Sequence, residues 1–368
     1  MCWSRRIEAT AGLCCLIAAT ACGLPSHDAT AIAAGRDHSC AVIHGGVQCW
    51  GANVAGQLGD SSTTDSDLPV STIGIMKASA VAASAGYTCA IASSGLHCWG
   101  DNSGGMLGDG TGMGSPVPVD VSGLGEGVSS ANLGGLHACA VANGAAWCWG
   151  NNNTGALGDN STSSSLVPVA VSGLTAGVQA IAAGYVHTCA IVSGAAMCWG
   201  RNIDGELGNN TTTDSLVPVP VVGLNGDVAA LATGANHACA LVNASVQCWG
   251  AGGLLGNGTT TDSLTPVPVT GLPAGVQAIA AGEAHTCAIA RGAVWCWGAA
   301  LGNGMDTDSL VPVAVSGLPN DVQAIAAGGF HTCALAGGSV WCWGQNANGQ
   351  LGNGATTDSP MPVEVSDL

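Results

Sequence analysis

The sequence predicts an all-β fold, a seven-bladed β-propeller with four antiparallel strands and one disulfide-stapled hairpin in each blade. A ten-residue stretch that begins and ends with cysteine occurs seven times, and each second cysteine is followed by Trp-Gly. The repeats follow one another at 46 to 50 residues, the period of a propeller blade rather than of a helical solenoid. The rest of the chain after residue 29 shows no sustained helical periodicity.

The centre of each cysteine-bounded stretch predicts a β-hairpin. Two turn residues, such as Asn143-Gly144, separate apolar runs and tolerate the positive φ of a type I′ turn. Counting outward from that turn places Cys139 opposite Cys148 in a non-hydrogen-bonded pair, where side chains lie closest and a disulfide can form. Buried reduced thiols are the alternative, and the spacing lacks zinc knuckles. The predicted disulfides are Cys40–Cys49, Cys89–Cys98, Cys139–Cys148, Cys189–Cys198, Cys239–Cys248, Cys287–Cys296 and Cys333–Cys342.

Each repeat predicts four strands, lettered A to D in chain order. In the fourth repeat, strand A is the small and apolar segment 178–184, which suits a position near a crowded axis. Strands B and C, 187–191 and 196–199, form the hairpin. Strand D, 217–221, contains prolines, which edge strands tolerate better than central strands. Strand D is therefore predicted at the outer edge of the blade.

The loop between strands C and D has the pattern Trp-Gly-x-Asn-x-x-Gly-x-Leu-Gly in five repeats. The fifth repeat is two residues shorter at this point, and the sixth is four residues shorter. Because the deletions fall at the same point of adjacent blades, we expect them to lower one face there. Drift in surface-loop length is the alternative explanation. The shortened loops supply part of the candidate partner surface: Gly252, Gly253, Ala299 and Ala300.

A second part of the candidate partner surface consists of tryptophans at a variable position of strand C. Trp147, Trp295 and Trp341 stand where other repeats have Gln, His or Met. They precede the repeated tryptophan by two residues and therefore lie on the same face of their strands. Contact with a partner and packing at the blade edge are both open. The repeated tryptophans themselves are expected to pack between blades: Trp50, Trp99, Trp149, Trp199, Trp249, Trp297 and Trp343.

The N-terminus resembles a bacterial export signal. Arg5 and Arg6 precede an apolar run, 9–21, that is too short to span a bilayer. The run ends in Ala-Thr-Ala-Cys22-Gly, which resembles the lipobox of bacterial lipoproteins, although Ala19 replaces the usual leucine. The resemblance implies lipidation of Cys22, and an ordinary cleaved signal peptide is the alternative.

These features divide the chain into a signal peptide at 1–22, a short linker at 23–29 and the propeller at 30–368. Paired cysteines persist outside the reducing cytosol, which also favours export to the cell envelope or the medium. The net charge is −17 and Lys77 is the single lysine, so the basic stripe that nucleic-acid binding needs is missing. An acidic surface suits a basic partner. Membrane contact is expected only through the lipid anchor.

The repeat as a whole resembles that of the regulator of chromosome condensation family. The pattern A-A-G-x-x-H-[ST]-x-A-[LIV], the Trp-Gly loop and P-V-x-V carry the resemblance over 29–368. The resemblance implies a seven-bladed β-propeller. The cysteines depart from the nuclear members, and export, acidity and short loops argue against nuclear guanine-nucleotide exchange. Secreted bacterial propellers of this family include a type that inhibits β-lactamases, which is a precedent for protein binding.

Several repeated polar residues have structural interpretations. Copies of one position stand apart around an axis, so the histidines are expected to bond neighbouring backbone groups rather than to form a metal ring: His38, His137, His187, His237, His285 and His331. The asparagines after Trp-Gly are expected to bond the local backbone. No known calcium loop, paired catalytic carboxylates, nucleophile and base, or phosphate loop occurs in the sequence. No metal, cofactor or catalytic residue is predicted.

The first functional hypothesis is an exported, monomeric propeller that binds a protein or glycan partner through one face. A secreted propeller enzyme of the lyase or hydrolase type is the second hypothesis, and a purely structural envelope component is the third. A cluster of unique charged residues on one face would favour the enzyme. The sequence alone reveals no such cluster.

Overall fold

The computed structural model describes residues 29–368. The predicted signal peptide and Cys22 lie outside the described residues, as does the linker up to residue 28. Strand β1 begins at Ala29.

The described residues form 28 strands of six residues each. Blades one to four contain β1 (Ala29–Ala34), β2 (His38–Ile43), β3 (Gly46–Gly51), β4 (Ser66–Ser71), β5 (Ala78–Ala83), β6 (Tyr87–Ala92), β7 (Gly95–Gly100), β8 (Ser115–Asp120), β9 (Val128–Leu133), β10 (His137–Ala142), β11 (Ala145–Gly150), β12 (Ser165–Ala170), β13 (Val178–Ala183), β14 (His187–Val192), β15 (Ala195–Gly200) and β16 (Ser215–Pro220). Blades five to seven contain β17 (Val228–Thr233), β18 (His237–Val242), β19 (Ser245–Gly250), β20 (Ser263–Pro268), β21 (Val276–Ala281), β22 (His285–Ala290), β23 (Ala293–Gly298), β24 (Ser309–Ala314), β25 (Val322–Ala327), β26 (His331–Ala336), β27 (Ser339–Gly344) and β28 (Ser359–Glu364).

Each blade is a four-stranded antiparallel sheet built from four consecutive strands, which confirms the predicted fold class. Strand A of every blade lines a central cavity of about 290 Å³, and strand D forms the outer edge, as its prolines predict. Within residues 29–368, the ring closes without the exchange of a strand between blades. The seventh blade meets the first through the Ala29 amide, which donates to the Gly338 carbonyl, and through the Gly354 amide, which donates to the Asp67 carbonyl.

The hairpin register confirms the seven predicted disulfides. In the third blade Ala142 faces Ala145, and Cys139 faces Cys148. The turn residue Asn143 has a φ of 53°, as the two-residue turn requires. Every cysteine pair is joined within its own blade, with Cα atoms 4.0 to 4.1 Å apart.

The hydrophobic core lies between neighbouring blades. Trp149 of blade three is fully buried and packs with Cys89 and Cys98 of blade two. Its indole nitrogen donates to the Met106 carbonyl of blade two at 2.8 Å. The other six repeated tryptophans are buried in the same way. Although aromatic residues are few in this chain, one tryptophan occupies the same position in every blade. Each of these tryptophans covers the disulfide of the preceding blade.

The blade topology gives the propeller two distinct faces. The A–B and C–D loops lie on one face, called here the loop face. The B–C hairpin turns and the D–A connections lie on the other, called the turn face. The shortened C–D loops of blades five and six therefore belong to the loop face.

Candidate partner-binding face

Five blades support a full-length C–D loop on one buried asparagine. In blade four, Asn202 Oδ1 accepts from the Leu207 amide at 2.9 Å, and Nδ2 donates to the Thr211 and Thr213 carbonyls at 2.9 and 3.0 Å. Equivalent bonds surround the other asparagines: Asn53, Asn102, Asn152 and Asn346. A buried amide with these partners fixes the loop, which confirms the structural interpretation of this position.

Blades five and six lack this asparagine and the side-chain hydrogen bonds that it makes. The Gly252 amide donates to Asp262 Oδ1 at 2.8 Å, and the Gly253 amide donates to the Thr259 carbonyl at 3.2 Å. A Cβ atom built on Gly205 of a full loop would lie 2.6 Å from the Leu264 side chain of the next blade. A Cβ built on Gly253 would lie 3.9 Å from Leu310. The blade-five loop therefore lies further from the next blade at Gly253, while the Gly258 amide still donates to the Leu310 carbonyl at 3.0 Å.

The deletion in blade six leaves a buried indole N–H without an acceptor. Six repeated tryptophans donate Nε1–H to a loop carbonyl of the preceding blade at 2.8 to 2.9 Å. Trp343 Nε1 has no partner among the described residues. The shortened loop before it places Ala300 in the left-handed region, with a φ of 52°. An unsatisfied buried donor and a left-handed alanine both cost free energy at this point.

The gap at the shortened loops, called here the notch, is bounded by exposed apolar side chains. It comprises Gly252, Gly253, Ala299 and Ala300. Leu310 of blade six lies beside Gly253. Met305, in the blade-six loop, is 60% exposed, and Met361 of blade seven is also exposed. Apolar side chains around a recess are a feature of protein-binding surfaces.

The structure does not bring the three variable tryptophans to the notch. Trp147, Trp295 and Trp341 pair with the last residue of strand D, which lies toward the turn face. All three are half-buried and pack into the core shared with the preceding blade. Packing explains their position, and contact with a partner stays a hypothesis.

The prediction for the histidine ring is wrong in its partners. His137 Nε2 lies 2.7 Å from Thr188 Oγ1 of the next blade, so its hydrogen-bond partner is a side chain rather than a backbone group. Thr188 Oγ1 donates to the Ala156 carbonyl, so the histidine Nε2–H is the donor to Thr188. The same bond joins His38 to Thr88, His237 to Thr286, His285 to Thr332 and His331 to Ser39. The ring therefore links blades through side chains, which a single repeat cannot reveal.

Burial keeps these histidines neutral. Desolvation lowers the pKa of His38, His137, His237 and His285 to about 4. It lowers the pKa of His187 and His331 to about 3, with further lowering from neighbouring histidines. Five of these neutral imidazoles have one hydroxyl partner each, and His187 Nε2 has none, so they are structural groups. They are not arranged as a catalytic set.

A charged group that the sequence analysis missed lies where the central channel opens on the loop face. Arg36 Nε lies 3.9 Å from Glu283 Oε1 and 3.8 Å from Asp37 Oδ2. Arg36 reaches from blade one to blade six because Gly329 of blade seven leaves room; a Cβ there would lie 3.0 Å from Arg36 Cγ. Tyr185 lies over Gly135 in the same way. Desolvation raises the pKa of Asp37 and Glu283, and Arg36 opposes the rise.

Comparison of the A–B loops within the chain could have found this group. The second residue after strand A is Arg36, Tyr185 or Glu283 in three blades. It is Ala or Gly in the others. The cavity at this mouth is about 80 Å³ and is lined mainly by backbone and small side chains.

The two faces differ in charge. Within the described chain, 15 acidic and two basic side chains lie in or beside the A–B and C–D loops. Six acidic and two basic side chains lie in or beside the hairpin turns and D–A connections. The loop face therefore carries most of the negative charge and attracts a basic surface.

Neither a metal centre nor a membrane-spanning helix is found within residues 29–368. Groups of three or more His, Cys, Asp or Glu side chains placed to hold a metal ion do not occur there. In the same residues, no helix is both long and apolar enough to cross a membrane.

These features define a closed seven-bladed β-propeller with an acidic loop face and a local gap in its rim. The model of the regulator of chromosome condensation (RCC1) repeat matches residues 44–91, 143–191, 193–241, 245–289, 291–335 and 337–368. A second RCC1 repeat model matches 322–350. The chain belongs to the RCC1 repeat family. A comparison with curated proteins finds no significant match.

Solved structures with the same fold have low sequence identity to this chain. Human WBSCR16 is 22% identical, with a TM-score of 0.77 over 88% of this chain and 94% of that chain. Prp20p from Saccharomyces cerevisiae is 22% identical, with a TM-score of 0.76 over 93% and 88%. The ectodomain of the Arabidopsis thaliana receptor kinase ACR4 is 19% identical, with a TM-score of 0.52 over 92% and 97%. At these identities the likeness concerns the fold alone.

Proposed function

We propose that this protein is an exported scaffold that binds a basic protein partner through the loop face, at the notch. The paired loop deletions carry the proposal. They fall at the same point of adjacent blades, open space beside Leu310 at Gly253 and leave Trp343 Nε1 without an acceptor. The surrounding acidic side chains supply long-range attraction, and the exposed apolar rim supplies contact area.

Two further observations support this proposal. The structure of Prp20p is described together with its binding to Gsp1p and histones, so a propeller of this fold serves as a protein-binding surface. Seven disulfides within the blades suit an oxidising compartment. We expect the protein to act as a monomer.

The binding site is tested by refilling the notch. To restore two full-length loops, Asn202-Ile203 is copied after Ala251 and Asn202-Ile203-Asp204-Gly205 is copied after Ala299, and a partner captured from the native envelope is titrated. A partner in the notch should bind this variant at least about tenfold more weakly, a loss of about 1.4 kcal/mol. The longer of these insertions, placed after Gly271, an exposed position on the turn face, is the control. Unchanged affinity of the refilled, fully oxidised variant would exclude the notch. If the captured partner is a glycan, the proposal of a protein partner is wrong.

Export and anchoring are tested separately at Cys22. If Cys22 is lipidated, the wild-type protein should partition into the detergent phase, and Cys22→Ser should block lipidation and processing. Equal partitioning of both proteins into the aqueous phase would leave an ordinary signal peptide. Partner binding by the loop face does not depend on this result.

The enzyme alternative has one observation in its favour. Arg36, Asp37 and Glu283 form a unique charged group at the channel mouth, with raised pKa values for both carboxyl groups. Such groups occur at catalytic sites but also in structural ion pairs. The variant Glu283→Gln distinguishes a catalytic site from a structural ion pair. If the protein is a binding scaffold, this variant should leave partner affinity at the notch unchanged. Loss of a hydrolytic activity on envelope glycans in that variant would favour the enzyme instead.

A further inference from the structure

The connection between blades one and two differs from the corresponding segments of the other blades. It presents Ile73, Met76 and Lys77 on the turn face, and all three are exposed. Other blades have Ser, Thr or Val at the first of these positions and smaller or polar residues at the second. These three residues are called here the blade-one prong.

The backbone of the prong is fixed by its neighbours. Ile75 is buried in the core between blades one and two. The Ala78 amide donates to the Gly45 carbonyl at 2.8 Å, and the Ser93 amide donates to the Lys77 carbonyl. The exposed side chains therefore project from an anchored segment rather than from a loose loop.

Lys77 has a left-handed backbone conformation, which glycine or aspartate adopts at the corresponding position of other connections. Its φ is 57°, in the left-handed region that L side chains rarely adopt. Gly127, Gly177 and Gly275 precede strand A with φ values of 73° to 84°, and Asp321 does so with 73°. A lysine there costs on the order of 1 kcal/mol, so the fold holds the single lysine of the chain at an unfavourable place.

The first described residue, Ala29, also lies on the turn face. The Ala29 amide donates to the Gly338 carbonyl in the hairpin turn of blade seven. The seven residue steps from Cys22 to Ala29 span at most roughly 25 Å when extended. A lipid on Cys22 would thus hold the turn face, not the loop face, near the bilayer.

We infer that the blade-one prong contacts the surface of a phospholipid bilayer and orients the propeller with its loop face outward. Two apolar tips beside a lysine match the interface between acyl chains and headgroups. Arg291, in the hairpin turn of blade six, adds a second cation to this face. The loop face, with 15 acidic and two basic side chains, would be repelled by anionic headgroups more strongly than the turn face, which has six acidic and two basic side chains. The inference rests on the proposed export and anchoring, which bring the chain to the membrane.

Two methionines make an internal test possible. Met76 on the turn face is 76% exposed, and Met113 on the loop face is 78% exposed. The oxidised mature chain, residues 23–368 with a histidine tag in place of lipidated Cys22, is bound to phosphatidylethanolamine–phosphatidylglycerol vesicles that contain nickel-chelating lipid. Sulfoxide formation under dilute peroxide is then followed by peptide mass spectrometry, with and without vesicles.

Bilayer contact should slow oxidation of Met76 about fivefold or more and leave Met113 unchanged. The variant Ile73→Ser/Lys77→Ser should lose this protection, whereas Val54→Ser on the loop face should keep it. Equal rates at Met76 and Met113 on vesicles, or protection of Met113 alone, would overturn the inference. Because the tag replaces the lipid, failure of lipidation at Cys22 or of partner binding leaves this result interpretable.

Discussion

At the scale of single residues, the histidine-to-hydroxyl bond is the recurring link between blades. His137 Nε2 donates to Thr188 Oγ1. Thr188 Oγ1 and Trp199 Nε1 in turn both donate to the Ala156 carbonyl. Two interfaces break this pattern. Ala238 leaves His187 Nε2 without a partner, whereas Tyr87 replaces the histidine that would face Ala138.

Restoring the hydroxyl at the first interface should stabilise the protein. In the variant Ala238→Thr, the new hydroxyl can accept from His187 Nε2 and donate to the Glu206 carbonyl, as Thr188 does at its own interface. Satisfying a buried donor is worth about 1–2 kcal/mol. Urea denaturation of the oxidised protein should therefore give a higher free energy of unfolding.

The matched control is Ala138→Thr at the second interface. There the Tyr87 hydroxyl already lies 2.7 Å from the His137 carbonyl and 3.0 Å from the Gly134 carbonyl. An added threonine gains no imidazole partner and overpacks the ring, which costs about 1–3 kcal/mol. Stabilisation by both variants alike would contradict the proposed bond.

At the scale of elements, the disulfide hairpin could be predicted because the turn and the nine-residue spacing lie within one repeat. The register of Cys139 with Cys148 follows from counting outward along the two strands. The partners of the histidines and of the mouth residues could not be predicted in this way. They come from different blades, and Arg36 meets Glu283 across an intervening glycine. Contacts between blades depend on packing around the axis, which one repeat does not encode.

Each hairpin disulfide should contribute measurably to stability. Closing a ten-residue loop is worth about 2.7 kcal/mol in the chain-entropy model. The double variant Cys189→Ala/Cys198→Ala should lower the free energy of unfolding by a similar amount, since both sulfur atoms are buried in the core with Trp249 of the next blade. The same double change at Cys239 and Cys248 serves as a second measurement. No loss of stability at either blade would refute the stabilising role of the hairpin disulfides.

At the scale of the whole molecule, six buried histidines make the propeller sensitive to acid. Their folded pKa values, about 3 to 4, lie below the unfolded value of 6.5. The unfolded chain therefore binds more protons, and stability falls as the pH drops from 6.5 toward 4. Each histidine contributes up to about 1.4 kcal/mol per pH unit in that window.

The free energy of unfolding should consequently fall by several kcal/mol between pH 7 and pH 5. Burial raises the pKa of Asp37, Glu206 and Glu283, which acts in the opposite direction, but these are three groups against six histidines. Thermal denaturation across this range gives the measurement. A Tm that does not change between pH 7 and pH 5 would contradict the burial of neutral histidines.

The central claim is that a partner binds the loop face at the notch, and hydrogen exchange of the complex tests it most directly. Backbone amides of the shortened loops, 251–262 and 299–308, should exchange more slowly when the captured partner is bound. The hairpin turns and the blade-one prong should exchange as in the free protein. Protection confined to the turn face, or spread evenly over all seven C–D loops, would contradict the claim.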